Sequence, residues 1–254
     1  MGGKILVSLA VGAELAPWRR LRRFRRVGCG SSFFHQARVG HAEVLVILAG
    51  VGARHAEVVT AVAIQYRPRV GVVAGVAAGL KPELRSGDIV VAESVANVDQ
   101  SESVRSDPRL FECALECGAQ PVHRLLSLER IVRTVEEKSR LAHAGDAAEM
   151  ETLAVMQRLS REGVPAVAVR AIADGAGEDV PCDFEMTLDR LGQIRFSRLF
   201  LQLIRRPLKL AAFVQFGLLS RRATISLAHY LDRLVESLAG QESSRDPALL
   251  TTLQ

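Results

Sequence analysis

The chain has 254 residues, of which 48% are hydrophobic, and it carries a formal net charge of +5. This length and hydrophobic content are enough for one large α/β domain with its own core. No apolar run is long enough to span a membrane. Six arginines lie in the segment WRRLRRFRR, residues 18–26. The rest of the chain is therefore nearly neutral, which excludes a nucleic-acid-binding surface spread over the fold.

Apolar runs alternate with segments of helical periodicity along the first two thirds of the chain. The N-terminal run is interrupted by Glu14 and lacks a basic flank, so it predicts a first strand rather than a signal peptide. Strands are predicted at 5–11, 44–50, 70–76, 88–95 and 166–174, and helices near 53–66, 106–119, 134–143 and 149–163. This order predicts a three-layer α/β/α sandwich around a central sheet.

Residues 29–48 form two adjacent β-like runs separated by Gly40-His41, which predicts an antiparallel hairpin and hence a mixed sheet. We expect a single domain over residues 1–240, with 184–239 as a hydrophobic helical extension kinked at Pro207 and 241–254 as a flexible tail. The cysteines, at positions 29, 113, 117 and 182, form no paired CxxC motifs. They are expected to be reduced, which favours a cytoplasmic location.

Three common kinds of site are disfavoured by the sequence. The turn Gly50-Val51-Gly52 follows a strand, but His55 stands where a dinucleotide-binding motif has its third glycine, and the next strand lacks the acidic residue that would hold a ribose. The histidines show no metal-binding spacing. A GxSxG nucleophile motif is also absent.

Acidic residues remain as the candidates for chemistry. Glu14 follows the first predicted strand, Glu149 and Glu151 open a predicted helix, and Asp174 ends the strand AVAVRAIAD. An α/β sheet presents functional groups at these positions, although a helix cap or a solvated charge explains any one of them alone. Together, an acid that protonates a leaving group and a carboxylate that activates water could cleave a glycosidic bond.

The segments AGVGARHA (49–56), GVAAGLKPELRSGDIVV (75–91) and AAEMETLAVMQRLSREGVPAVAVRAIADGA (147–176) resemble the nucleoside phosphorylase/nucleosidase superfamily. Within it, they are most similar to the methylthioadenosine/S-adenosylhomocysteine nucleosidases. The resemblance covers roughly residues 4 to 180. It implies an enzyme that removes the base from a purine nucleoside without a metal or organic cofactor, with phosphate as a possible co-substrate, and that forms homo-oligomers.

The resemblance also implies roles for individual residues. Asp174 would protonate N7 of the departing purine, and Glu14 would activate the attacking water. Glu151 would hold the ribose hydroxyls, Met150 would pack on the sugar and Glu149 would support the loop. The residues implied around the base are Val51, Ala77, Ile131 and Val132.

Two departures from the family pattern bear on the nucleophile and on the acid. Related phosphorylases hold phosphate with an arginine and a serine, where this chain has Val73 and Val76, which favours water. Arg54, close to the glycine turn, leaves phosphate open as an alternative. The nucleosidases usually have a serine before the aspartate, where this chain has Ala173.

The segment from Val180 to about residue 233 resembles the C-terminal part of hopanoid-associated phosphorylases, which implies adenosylhopane as the substrate. An apolar 5′ group would need an apolar wall, for which the candidates are Phe196, Phe200, Phe213 and Phe216. These side chains could instead complete a core or a subunit interface. The alternatives are an ordinary methylthioadenosine or adenosylhomocysteine nucleosidase, a general purine nucleoside phosphorylase, and a non-catalytic nucleoside-binding or membrane-associated protein.

The arginine-rich segment also has an apolar period. Leu15, Trp18, Leu21 and Phe24 recur every three residues between the arginines, which predicts an amphipathic basic helix. Such a helix, together with the C-terminal helices, suits peripheral contact with the inner face of an anionic membrane. A first helix whose arginines simply face water is the alternative.

Overall fold

The computed structural model describes residues 3–29, 32–50, 52–181 and 210–243. Its strands are β1 (Lys4–Leu9), β2 (Arg25–Cys29), β3 (Ser32–Val39), β4 (Ala42–Leu48), β5 (Val70–Gly79), β6 (Ile89–Ala96), β7 (Ser103–Arg105), β8 (Gln120–Ser127), β9 (Ala147–Glu149) and β10 (Ala166–Asp174). Its helices are α1 (Gly12–Leu21), α2 (Ala53–Ile64), α3 (Pro108–Glu116), α4 (Val135–Leu141), α5 (Thr152–Arg161) and α6 (Leu210–Ser243). The five strands and four helices predicted between residues 5 and 174 are all present.

The strands form one mixed sheet. β5 lies parallel to both β1 and β10, whereas β10 and β6 are antiparallel. β3 and β4 form the predicted antiparallel hairpin, with Gly40 at the turn in the left-handed region at φ +56°. β8 and β9 connect β6 back to β5, so that β5, β10, β6, β8 and β9 close on themselves.

Helices cover both faces of this sheet, in agreement with the predicted three layers. On one face the core includes residues of α1, α3 and α6, such as Trp18, Leu110 and Tyr230. On the other face it includes residues of α2 and α5, such as Ala56 and Met156. Apolar side chains that leave water on both sides of the sheet provide the main stabilisation.

The arginine-rich segment is divided between two elements. α1 ends at Leu21 and β2 begins at Arg25, so Phe24 lies outside the helix. Leu15 and Trp18 are fully buried, and Trp18 Nε1 donates to Asp232 of α6 at 3.0 Å. Two residues of the expected apolar side, Leu15 and Trp18, therefore pack inside the protein, whereas Leu21 is 41% exposed next to the exposed arginines of α1.

α6 contributes a layer of the core. Leu227, Tyr230 and Leu234 are fully buried, and the Tyr230 hydroxyl donates to the Ala114 carbonyl at 2.8 Å. The described part of the predicted extension is thus a helix of the domain core, because its apolar side packs against the sheet. No helix within the described ranges is both long and apolar enough to cross a bilayer.

Candidate active site

Four of the predicted acidic residues lie where strands of the sheet end. Glu14 is in the first turn of α1, which follows β1, and Asp174 is the last residue of β10. Ala78 of β5 pairs with Asp174 on one side and with Ala148 of β9 on the other. The closure of the sheet therefore brings Asp174 and the segment that carries Glu149 and Glu151 to the same edge.

Glu14 is only 3% exposed, and its carboxylate is held by backbone donors. Oε2 accepts from the N–H groups of Ala10 at 2.7 Å and Val11 at 3.2 Å, and Oε1 accepts from the N–H of Val76 at 2.9 Å. Burial raises the pKa of Glu14, while the charge of Arg170 and these hydrogen bonds oppose the increase. The side chain is thus fixed in orientation, with a pKa moved towards that of a general base.

Arg170 is a central residue of this site that the sequence analysis did not identify. It lies in the middle of β10, is 2% exposed, and donates through Nη2 to Oε2 of Glu149 at 2.8 Å and to the Thr152 hydroxyl. A Cβ atom on Gly75 would lie 1.9 Å from Nη1 of Arg170 and 3.0 Å from Oε1 of Glu14. Gly75 thus leaves the space that the guanidinium occupies near Glu14.

Glu149 is a support for the following segment. It ends β9 rather than opening a helix as predicted, and its Oε2 accepts from the N–H groups of Glu151 at 2.8 Å and Thr152 at 2.9 Å. These donors belong to the start of α5, where backbone N–H groups have no partner within the helix. With Arg170 paired on the same oxygen, Glu149 links β10 to the start of α5.

Glu151 points to the glycine turn before α2. Its Oε1 accepts from the N–H of Gly52 at 2.8 Å. Gly52 is at φ +99°, a backbone conformation that favours glycine. Burial, followed by the charge of Glu149, raises the pKa of Glu151 to about 8. Near neutral pH, this carboxyl can both donate and accept hydrogen bonds, which suits a partner with hydroxyl groups.

Asp174 pairs with a lysine that the sequence analysis did not identify either. Its side chain is almost fully buried, and Oδ2 lies 2.5 Å from Nζ of Lys138. The register of β10 against β5 shifts between Ile172 and Asp174, which turns the end of the strand. Burial raises the pKa of Asp174, and the Lys138 charge opposes that increase. A carboxyl in this environment can hold a proton and release it to a bound group.

The residues predicted around a base are apolar and mostly buried. Ala77 is 4% exposed and Val132 is 6% exposed, while Ile131 and Met150 are half-buried. Val51, Phe196 and Phe200 lie outside the described residues, as do the side chains of Phe213 and Phe216.

Among the positions considered for phosphate, the arginine is exposed and the two valines have apolar side chains. Val73 is buried, Val76 contributes its backbone N–H to Glu14, and Arg54 is exposed in the first turn of α2. Within the described ranges, no group of three or more histidine, cysteine, aspartate or glutamate side chains is placed to hold a metal ion. The charged groups that meet at the site are thus carboxylates, one guanidinium and one ammonium.

This arrangement combines two chemical capabilities at one edge of the sheet. Asp174 can transfer a proton, and Glu14 beside Arg170 can orient and activate a small nucleophile. Such buried and opposed ionisable groups at the carboxyl ends of strands define an enzyme that acts on a small molecule.

The chain belongs to the phosphorylase superfamily, whose model matches residues 4–205. A 5′-methylthioadenosine/S-adenosylhomocysteine nucleosidase of Tolumonas auensis is 28% identical over 189 residues, which are 63% of this chain and 80% of that protein. The corresponding protein of Chromohalobacter salexigens is 26% identical over 212 residues, 73% of this chain and 89% of that protein.

Solved structures share the fold. The 5′-methylthioadenosine/S-adenosylhomocysteine nucleosidase of Campylobacter jejuni superposes with a TM-score of 0.71 at 18% identity, over 92% of this chain and 99% of that chain. The futalosine hydrolase of Helicobacter pylori strain 26695 gives a TM-score of 0.71 at 19% identity, over 93% and 98%. At these identities the structural match establishes the architecture, and the assignment of activity depends on the site.

Proposed function

We propose that this protein hydrolyses the N-glycosidic bond of a 5′-substituted adenosine and releases adenine. The observation that carries this proposal is the buried carboxylate of Glu14, held by three backbone N–H groups beside Arg170 at the same edge as Asp174. An acid for the base and a nucleophile-activating carboxylate are the two groups that the reaction requires. Both are supplied by side chains, so the proposed reaction needs no metal or organic cofactor.

The proposed steps follow from these positions. Asp174 donates its proton to N7 of adenine as the C1′–N9 bond breaks, and the bonding electron pair goes to the base. Glu151 hydrogen-bonds the ribose hydroxyls, for which its pKa of about 8 suits it. Met150 packs against the sugar, while Ala77, with Ile131 and Val132, surrounds the base.

Water is the proposed nucleophile. Glu14 takes a proton from the water as its oxygen forms the bond to C1′, and the three backbone N–H groups fix the orientation of that carboxylate. Phosphate would need free cationic or hydroxyl donors at this point. Arg170 already donates through Nη2 to Glu149 and Thr152, while Val73 and Val76 have apolar side chains and Arg54 faces solvent. Since Glu14 is itself anionic when it accepts a proton, a second anion beside it would be repelled.

For the 5′ substituent we propose the hopane chain of adenosylhopane. The support is the resemblance of the segment after Val180 to hopanoid-associated phosphorylases, together with the high leucine and phenylalanine content of that segment. Methylthioadenosine or S-adenosylhomocysteine is the second candidate, since the curated relatives carry that name. The two candidate substrates are separated by the ratio of kcat/KM for adenosylhopane to kcat/KM for methylthioadenosine. A ratio well below 1 would favour the second candidate.

Two substitutions test the reaction itself. Asp174→Asn should lower the rate of adenine release by about 10²–10⁴-fold, the usual contribution of a positioned acid, while the far-UV circular dichroism spectrum stays unchanged. Glu14→Gln should lower hydrolysis by a similar factor, and added phosphate should not restore it. Near-full turnover by the Asp174 variant would refute the assignment of the acid.

A further inference from the structure

Lys138 is a fully buried lysine that the reaction described above does not use. It lies on α4, and the exposed fraction of its side chain is 0%. Its Nζ contacts three oxygens: the carbonyls of Gly175 at 2.7 Å and Glu178 at 2.6 Å, and Oδ2 of Asp174 at 2.5 Å. Hydrogen bonds to the two carbonyls and the ion pair with Oδ2 fix the direction of the side chain.

Burying a whole lysine side chain costs free energy, so its presence here calls for an explanation. Moving an ammonium from water into the interior carries a large desolvation penalty, which its partners offset only when the geometry is good. An apolar side chain of similar length would fill the same volume without that penalty. The three contacts converge on Asp174 and the loop that follows it, so the position of this loop is what Lys138 controls.

We propose that Lys138 is a positioning residue for Asp174: it holds Oδ2, leaves Oδ1 for the base, and stabilises the carboxylate that remains once the proton has gone to the purine. This inference rests on the proposed function. When Asp174 donates its proton to N7, the C1′–N9 electron pair passes to adenine and the aspartate becomes an anion in a buried site. The ammonium beside Oδ2 neutralises that anion.

Two features of the chain support this role. Ala173, immediately before the aspartate, has no side-chain donor, so the carboxylate depends on another element for its orientation. The charge of Glu178 raises the pKa of Asp174. The Glu178 carboxylate accepts a hydrogen bond from the Gly175 N–H at 2.9 Å. Burial and Glu178 thus favour the protonated acid, and Lys138 is the group that favours its ionised product.

The alternative role for Lys138 is structural, because its bonds to Gly175 and Glu178 fasten the loop to α4. The pH profile separates the two roles. A general acid must be protonated to act, so activity should fall as the pH rises through the pKa of Asp174. Loss of the Lys138 charge removes the influence that lowers this pKa, and the alkaline limb of the profile should then move to higher pH.

The test compares kcat against pH for adenine release from methylthioadenosine by the wild type, Lys138→Met and Lys138→Gln. Glutamine keeps donors for the two carbonyls but has no charge. We expect both variants to lose about 10- to 100-fold in kcat, part of what an acid contributes, with the alkaline limb displaced upward. Lys4→Met is the matched control, since Lys4 pairs with Glu43 at 3.8 Å with both side chains about one-third exposed.

Each outcome separates the proposals. A Lys138→Gln variant with wild-type kcat and an unchanged alkaline limb would overturn the role in acid catalysis. Lys138 would then only hold the loop against α4. A loss of kcat without displacement of the limb would overturn the role in acid catalysis equally. In the Asp174→Asn background, Lys138→Gln should have no further effect on the pH profile. A wild type that releases adenine from neither methylthioadenosine nor adenosylhopane would refute the proposed function itself, a result distinct from the other two.

Discussion

The ion pair between Arg170 and Glu149 gives the sharpest stability prediction. Both side chains are at most 3% exposed, and Nη2 lies 2.8 Å from Oε2. Glu149→Gln keeps the shape and removes the charge, so the buried guanidinium loses the carboxylate to which it donates. Breaking a buried pair from one side costs about 3–5 kcal/mol, so the free energy of unfolding should fall by about 3 kcal/mol or more.

Urea unfolding at pH 7 measures this change, and Glu43→Gln is the matched control. Glu43 pairs with Lys4 at 3.8 Å, and its side chain is 36% exposed. Loss of such a surface pair should cost about 0–1 kcal/mol. The double variant Glu149→Gln/Arg170→Met should lose less than the sum of its two single variants, because neither charge is then left alone. A Glu149→Gln variant within about 1 kcal/mol of the control would refute the importance of the pair.

Two further predictions concern the same cluster. Gly75→Ala should lower kcat/KM about 100-fold, because a Cβ there would lie 1.9 Å from Nη1 of Arg170 and a small displacement of a site residue has effects of that size. Gly217→Ala is the control: outside the backbone of its own helix, no atom lies within 4 Å of the added carbon, so kcat/KM should stay unchanged. The pKa of Glu151 is raised from 4.5 to about 8, so between these values the folded chain holds a proton that the unfolded chain has released, and stability decreases as the pH rises. Thermal unfolding of the wild type relative to Glu151→Gln should show that decrease, and parallel curves would contradict it.

Strands with strong local signals could be predicted from the sequence. β1, β4, β5, β6 and β10 are rich in apolar residues, and the ends of β1 and β10 lead to Glu14 and Asp174. β9 has only three residues and therefore no periodicity to detect, so Glu149 was assigned to the following helix. β8 begins with exposed and polar positions, which conceal its strand pattern.

The two cations of the site could not be predicted, because their burial depends on distant segments. Arg170 is one charged residue within an apolar strand, and only its contacts with β9 and α5 give it a partner. Lys138 lies among the charged residues 136, 137 and 140, so the local pattern predicts a solvated face. It is buried by residues 174–178, which are about 40 positions away in the chain.

The N-terminal helix shows the limit of an amphipathic pattern. A basic stripe beside an apolar stripe indicates that one side leaves water, but it does not indicate what covers that side. Here the cover is α6, more than 200 residues later, through Trp18 and its bond to Asp232. The sequence therefore located the apolar stripe and could not distinguish a membrane from a helix of the same chain.

The central claim is hydrolysis at C1′ of a 5′-substituted adenosine. The most direct measurement is the mass of the sugar product after turnover of methylthioadenosine, and separately of adenosylhopane, in ¹⁸O-labelled water with phosphate present. The proposed reaction predicts free adenine and a sugar that carries one ¹⁸O atom at C1′. A sugar 1-phosphate without the label, or no adenine from either nucleoside, would contradict it.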